Sequence, residues 1–153
     1  MDWLELKIPP PVVALAFGLL MWFATPLAAP VAAPFGYRVG VAAVLASIGV
    51  LIDLVAILTF WRARTTVNPM KPGVTSVLVT SGVYRFSRNP MYLGLLLFVL
   101  AWAVYLSSWL ALFFVPVFVI YMNRFQIQPE ERAMRSLFGP EYTSYQAKAR
   151  RWL

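Results

Sequence analysis

From residue 37 to residue 61 the sequence is almost uninterrupted hydrocarbon, and past Arg38 near its start the only ionisable side chain in it is Asp53. At about 1.5 Å of rise per residue, such a run crosses a ~30 Å hydrocarbon core as a tilted helix. No water is available there, so the backbone must satisfy its own polar groups, and helix is the form that does so within one segment. Three further apolar runs, 12–28, 90–106 and 109–125, have the same character. Hydrophobic residues make up 61% of the chain and charged ones 12%, which removes the soluble globular class. The expectation is an all-α integral membrane protein forming one membrane domain, residues 1–153. It has about four transmembrane helices, a loop over 62–89 and a tail of amphipathic helices over 126–153.

The breaks between runs are legible too. Pro9, Pro10 and Pro11 close the mixed opening segment, and Pro26, Pro30 and Pro34 end regular helix after the first span by removing backbone donors. Ser107-Ser108 reads as a tight turn and Pro116 as a kink. The first span resembles a secretory leader in having small residues after an apolar run. It lacks the positive region that precedes one, because Lys7 is offset by Asp2 and Glu5, so it is read as a retained helix.

An even number of spans puts both chain ends and the 62–89 loop on one side. That side then carries all of the 13 basic residues except Arg38, an asymmetry that marks it as cytoplasmic and the membrane as the inner one. The net charge of +7 is therefore topological, and the aromatics lie in or beside apolar runs, so nucleic acid is not an expected partner. The partner is the bilayer. With no Cys and no His, thiolate nucleophiles, imidazole bases and the usual zinc or haem ligands are excluded, and no metal site is expected. Chemistry must come from carboxylates, Arg, Tyr, Asn and backbone groups, or from a cofactor.

Two stretches on the cytoplasmic side carry such groups. The first is Gly-Val-Tyr-Arg-Phe-Ser-Arg-Asn-Pro-Met-Tyr-Leu-Gly over residues 82–94, in which Pro90 suits the first turn of a helix. The second starts at Pro129, places Glu130 and Glu131 in a first turn, and recurs with Ala133, Met134, Leu137 and Phe138 on one face. Gly139-Pro140 then starts a further helix bearing Tyr142 and Tyr145. Acids in a first turn stabilise a helix by about 0.3–1 kcal/mol through its dipole alone, so the glutamates by themselves need no other purpose. Arg85, Arg88 and Arg124 are likewise accounted for as membrane anchors.

Taken together and in this order, Arg88-Asn89-Pro90-Met91-Tyr92-Leu93-Gly94, Glu130-Glu131, Phe138-Gly139 and the paired tyrosines resemble the isoprenylcysteine carboxyl methyltransferase and phospholipid methyltransferase superfamily. The likeness covers residues 62–153, and the first two spans match only in being apolar. It implies S-adenosyl-L-methionine as cofactor and an amphiphilic, lipid-like acceptor with a carboxylate, amine or thiol head group. It also implies cofactor-binding roles for Tyr84, Arg88, Asn89, Pro90, Tyr92, Gly94, Glu131 and Tyr142, with Glu131 on the ligand's ammonium, and catalytic roles for Glu130 and Arg88. Two positions depart from the family pattern. Asn89 stands where His is common, and Gln126 where the prenylcysteine enzymes have Arg.

Asp53 stays open at this stage, between a functional carboxylate and a structural or protonated one. A transporter or channel built around it, a membrane reductase of related architecture and a non-catalytic membrane subunit are the competing readings.

Overall fold

The computed structural model describes residues 4–62 and 77–153. The remainder of the expected 62–89 loop, residues 63–76, lies outside the described residues. Six α-helices follow in order: α1 (Pro10–Ala24), α2 (Phe35–Arg62), α3 (Pro90–Leu106), α4 (Trp109–Met122), α5 (Gln128–Phe138) and α6 (Pro140–Lys148). Among the described residues there is no strand, only two isolated bridges.

Among the described residues three rods are long and apolar enough to cross a membrane: Pro10–Leu27, Phe35–Arg62 and Trp109–Phe138. The shorter apolar helix Pro90–Leu106 lies beside them. This is the expected all-α membrane architecture. The outward faces remain apolar, with Leu15, Leu51 and Phe113 each more than 60% exposed, as a hydrocarbon solvent requires.

α3 is central, packing against α2, α1 and α4. Its contacts with α1 and α4 bury Val99, Ala103, Met21 and Phe118, and Phe17 meets Phe118 edge to face at 5.3 Å. The Ser107-Ser108 turn holds as expected: Ser107 takes a left-handed conformation at φ 52° and donates through Oγ to the Val31 carbonyl at 2.8 Å. The extended connection after α1 is thereby tied to the α3–α4 turn at one end of the bundle.

Two boundaries differ from expectation. α1 starts at Pro10 rather than after the prolines, because a first-turn residue has no helical partner for its N–H to lose. The fourth helix does not break near residue 125. It passes through a π-helical turn, Asn123–Ile127, closed by Gln128 N–H to the Asn123 carbonyl, and runs on into α5 as one rod. Pro116 sits inside α4 without ending it. Polar residues take the chain out of hydrocarbon, but they do not require the backbone ladder to break. The spanning part of this rod is α4, since α5 carries Glu130, Glu131, Arg132 and Arg135 and belongs to the membrane surface.

At that same end the opening segment is pinned down. Leu6 N–H reaches the Phe125 carbonyl at 3.0 Å, and Glu5 pairs with both Arg124 and Arg132. The opening segment, the 82–89 turn and α5–α6 thus share one end of the bundle, opposite the Ser107 turn.

Candidate functional site

The first basic-aromatic stretch begins as a 3-10 turn, Gly82–Arg85, followed by four residues without regular structure before α3 starts at Pro90. Gly82 opens it at φ 60°, and a side chain there would also crowd Thr59 Oγ1 at 3.1 Å, so glycine is required on both counts. The turn turns Tyr84 inward, edge to face with Phe60 of α2 at 5.1 Å.

The chain's final residues run beside this stretch and fasten it. Arg88 N–H donates to the Arg150 carbonyl at 2.8 Å, and Arg150 N–H to the Phe86 carbonyl at 3.2 Å. The Asn89 side-chain amide donates to the Arg151 carbonyl at 2.9 Å. Tyr145 of α6 donates its hydroxyl to the Tyr84 carbonyl at 2.7 Å.

An ion cluster sits beneath this strap. Arg88 Nη1 donates to the carbonyls of Gln146 (3.0 Å) and Ala149 (2.5 Å), and its Nη2 to Glu131 Oε1 (2.9 Å). Arg151 grips the same carboxylate with a two-pronged contact, Nε to Oε1 at 3.0 Å and Nη2 to Oε2 at 2.6 Å. Glu131 is 4% exposed, and a buried charge of this kind is tolerable only with such pairing. Burial alone would raise its pKa, but the hydrogen bonds from Arg151 and Arg88 prevail and hold it below the ordinary carboxylate range.

Glu130 is in the opposite condition. Its Oε1 accepts the Tyr92 hydroxyl, and neither Arg88 nor Arg151 pairs with it. Burial pushes its pKa up to about 8, the Tyr92 hydrogen bond works against the rise, and the charge of Glu131 adds to it. Two neighbouring acids with pKa values driven apart by their surroundings are a pattern of acid–base sites. The tyrosines outside the spans do not compete as bases. Burial raises Tyr84 and Tyr145 above the ordinary phenol range and Tyr142 to about 12.

The Glu130 shift has a measurable consequence with a definite sign. Its folded pKa lies above the ordinary 4.5, so the native state holds the proton more tightly than the unfolded chain does. This contribution to stability is present below about 4.5 and is lost as pH rises toward 8. Unfolding followed in detergent should show wild-type stability declining across that interval and Glu130→Gln flattening the decline. An unchanged slope would place Glu130 in contact with water.

Arg88, Asn89, Glu130, Glu131 and the four tyrosines border one cavity of about 380 Å³. It is walled by Pro10 and Pro11 of α1, by Asp53, Ile57 and Phe60 of α2, and by residues 77–79. Tyr84, Arg88, Asn89, Pro90 and Tyr92 form another side, and Glu130, Glu131, Met134, Tyr142 and Tyr145 close it from α5 and α6. Two buried polar atoms on its walls have no partner among the described residues, Arg88 Nε and Asp53 Oδ1.

Of the residues expected at a site, Tyr84, Arg88, Asn89, Pro90, Tyr92, Glu130, Glu131 and Tyr142 therefore line one space. Gly94 does not: it lies behind the wall against Asp53, where a Cβ would sit 2.0 Å from Oδ1. Gln126 is also remote, buried with its amide donating to the Ile8 carbonyl at 2.7 Å. Arg151 was not anticipated, because adjacent arginines near a basic chain end look like solvated anchors; nothing local marks one of them as a carboxylate clamp.

The chain matches the phospholipid methyltransferase family over residues 37–141, a stretch that includes Asp53 and most of α2 as well as the 82–94 segment and Glu130-Glu131. The earlier likeness, confined to residues 62–153, was thus too short. In the indica and japonica subspecies of Oryza sativa, a probable protein-S-isoprenylcysteine O-methyltransferase is 31% identical over 140 residues, covering 90% of this chain and 72% of the relative. An uncharacterised protein of Haemophilus influenzae is 49% identical over 63 residues, 41% of this chain and all of that protein. No solved structure matches the chain.

Proposed function

Because the chain belongs to the phospholipid methyltransferase family and is a membrane methyltransferase, we propose that its cavity binds S-adenosyl-L-methionine beside an amphiphilic acceptor drawn from the bilayer. The observation that carries this reading is the cavity of about 380 Å³ bounded by both motifs, within the 300–1,000 Å³ usual for small-molecule sites.

The donors and acceptors on its walls suit a zwitterionic ligand. Arg88 Nε is a buried donor without a partner, and α3 opens with no side-chain cap, so the first-turn N–H groups of Met91 and Tyr92 add to it. These are matched to a carboxylate. Glu131 keeps one lone-pair position on Oε2 beyond its arginine bonds, enough for a single ammonium contact. Tyr84, Tyr142, Tyr145 and Phe60 supply aromatic surface for a purine.

When bound, S-adenosyl-L-methionine supplies a methyl group activated by its sulfonium, so the protein's part is alignment and proton management rather than metal chemistry. Arg88 and Glu131 fix the wall, with Asn89 and Pro90 setting the start of α3. Glu130, linked to Tyr92, takes a proton from an acceptor that carries one, and does so in its ionised form as pH approaches 8. The excess of Lys and Arg at this end of the bundle supports placing the site and both chain ends on the cytoplasmic face of the inner membrane.

Calorimetry on the detergent-purified chain tests the proposal. Wild type should bind S-adenosyl-L-methionine saturably, and Glu131→Gln should weaken it at least roughly tenfold, the loss of one charge-assisted contact. A folded wild type with no binding heat would overturn it.

A further inference from the structure

The π-turn at Asn123–Ile127 has a support from the other end of the chain. In a regular α-helix the Phe125 carbonyl would accept from the residue four places on. That residue is Pro129, which has no N–H to give. Leu6 supplies the donor instead, its N–H reaching the Phe125 carbonyl at 3.0 Å. It does so at φ 54°, a left-handed conformation that is unfavourable for leucine and persists only where its surroundings enforce it.

Two further attachments flank that bond. The Gln126 amide donates to the Ile8 carbonyl at 2.7 Å, and Glu5 pairs both with Arg124 in the turn and with Arg132 in α5. At the turn's first residue, Trp152 Nε1 donates to Asn123 Oδ1 at 3.0 Å. Packing of Ile8 on the apolar core would be enough to tether the opening segment. Polar contacts converging on one five-residue turn and the helix after it do something more specific. Glu130 and Glu131 follow Ile127 by three and four residues within the same rod, so the way the turn is wound decides where they point.

Resting on the methyltransferase reading above, we propose that the opening segment is a positioning clasp for the cavity. Through Glu5, Leu6 and Ile8 it holds the turn in its π form, and so aims Glu130 at Tyr92 and Glu131 at Arg88 and Arg151. None of Glu5, Leu6, Ile8 and Gln126 lines the cavity, so they act through α5. Gln126, standing where the prenylcysteine enzymes have Arg, is thereby assigned to the clasp. The segment leads directly into Pro10 and Pro11, which wall the cavity, so its release would loosen that wall as well.

The test uses the full chain in detergent micelles. Pro129→Ala leaves every clasp residue in place and offers Phe125 an intrahelical donor, so that regular winding competes with Leu6. Hydrogen exchange at the Leu6 amide should speed up roughly tenfold. By calorimetry, S-adenosyl-L-methionine should bind at least about threefold more weakly. Resistance to unfolding by dodecyl sulfate should nevertheless hold or rise, because alanine is much the better helix former. The double variant Glu5→Gln, Gln126→Leu should shift exchange and binding in the same direction. With isotope-labelled glutamate carboxyls, Glu130 should titrate near 8 in wild type and lower, toward the ordinary carboxylate range, in both variants. Unchanged Glu130 titration and unchanged binding would overturn the proposal. So would weaker binding that only accompanies lost resistance to dodecyl sulfate, the mark of general destabilisation. Failure of the methyltransferase reading shows separately, as wild type that does not bind S-adenosyl-L-methionine while the exchange and titration measurements still decide the clasp.

Discussion

Arg88→Met is expected to destabilise the folded protein by about 3–5 kcal/mol, the usual cost of removing one partner from a buried ion pair. The side chain is long enough to fill most of the space, so the loss is electrostatic rather than a cavity. Two backbone carbonyls, those of Gln146 and Ala149, lose their donor, and Glu131 is left with Arg151 alone, a more exposed side chain than Arg88. Arg88→Lys should recover only part of the loss. An ammonium reaches one acceptor cluster as a point charge, and the planar fork that joins Glu131 to the end of α6 is gone. Unfolding in mixed micelles with rising dodecyl sulfate, followed by circular dichroism, measures both variants. A methionine variant as resistant as wild type would mean that Glu131 and Arg151 alone hold the strap.

The second large effect is at Gly94. A Cβ there would lie 2.0 Å from Asp53 Oδ1 and 2.5 Å from its Cγ, so turning the carboxylate about its last bond gives no relief. Gly94→Ala must displace the Asp53 side chain or part α2 from α3, at a cost of about 1–3 kcal/mol or more. The same substitution in an Asp53→Ala background should cost less than about 1 kcal/mol, since the obstructing atoms are absent. The double-mutant cycle then gives a coupling energy of roughly 1–3 kcal/mol. Additive effects in the same micelle unfolding assay would refute the fitted contact between these two positions.

These variants also show where the sequence was readable. The four apolar runs were plain because hydrocarbon leaves the backbone no alternative to helix, and the third was bounded at Pro90 and Leu106 by a proline and a serine turn. The fourth run was bounded at residue 125, where the surroundings change but the helix continues. At the site, the order of Arg88, Tyr92, Glu130 and Glu131 along the chain carried the resemblance that grouped them. Arg151 and Asp53 needed three dimensions. The first closes on Glu131 from a basic end that looks solvated, and the second gains its place from a glycine on another helix. Gly94, expected at the ligand site, leaves room for the Asp53 carboxylate.

The π-turn at Asn123–Ile127 sets the rotational phase between two parts of one rod. A regular α-helix advances about 100° per residue, and a π-turn accommodates one residue more than an α-turn in the same length. Were the same residues wound as a regular α-helix throughout, α5 would be rolled about 100° relative to α4. The membrane face of the rod would be unchanged, but Glu130 and Glu131 would point away from Tyr92, Arg88 and Arg151. Lipid-facing and ligand-facing requirements are thus indexed independently along a single continuous helix, by one residue placed where it leaves the bilayer.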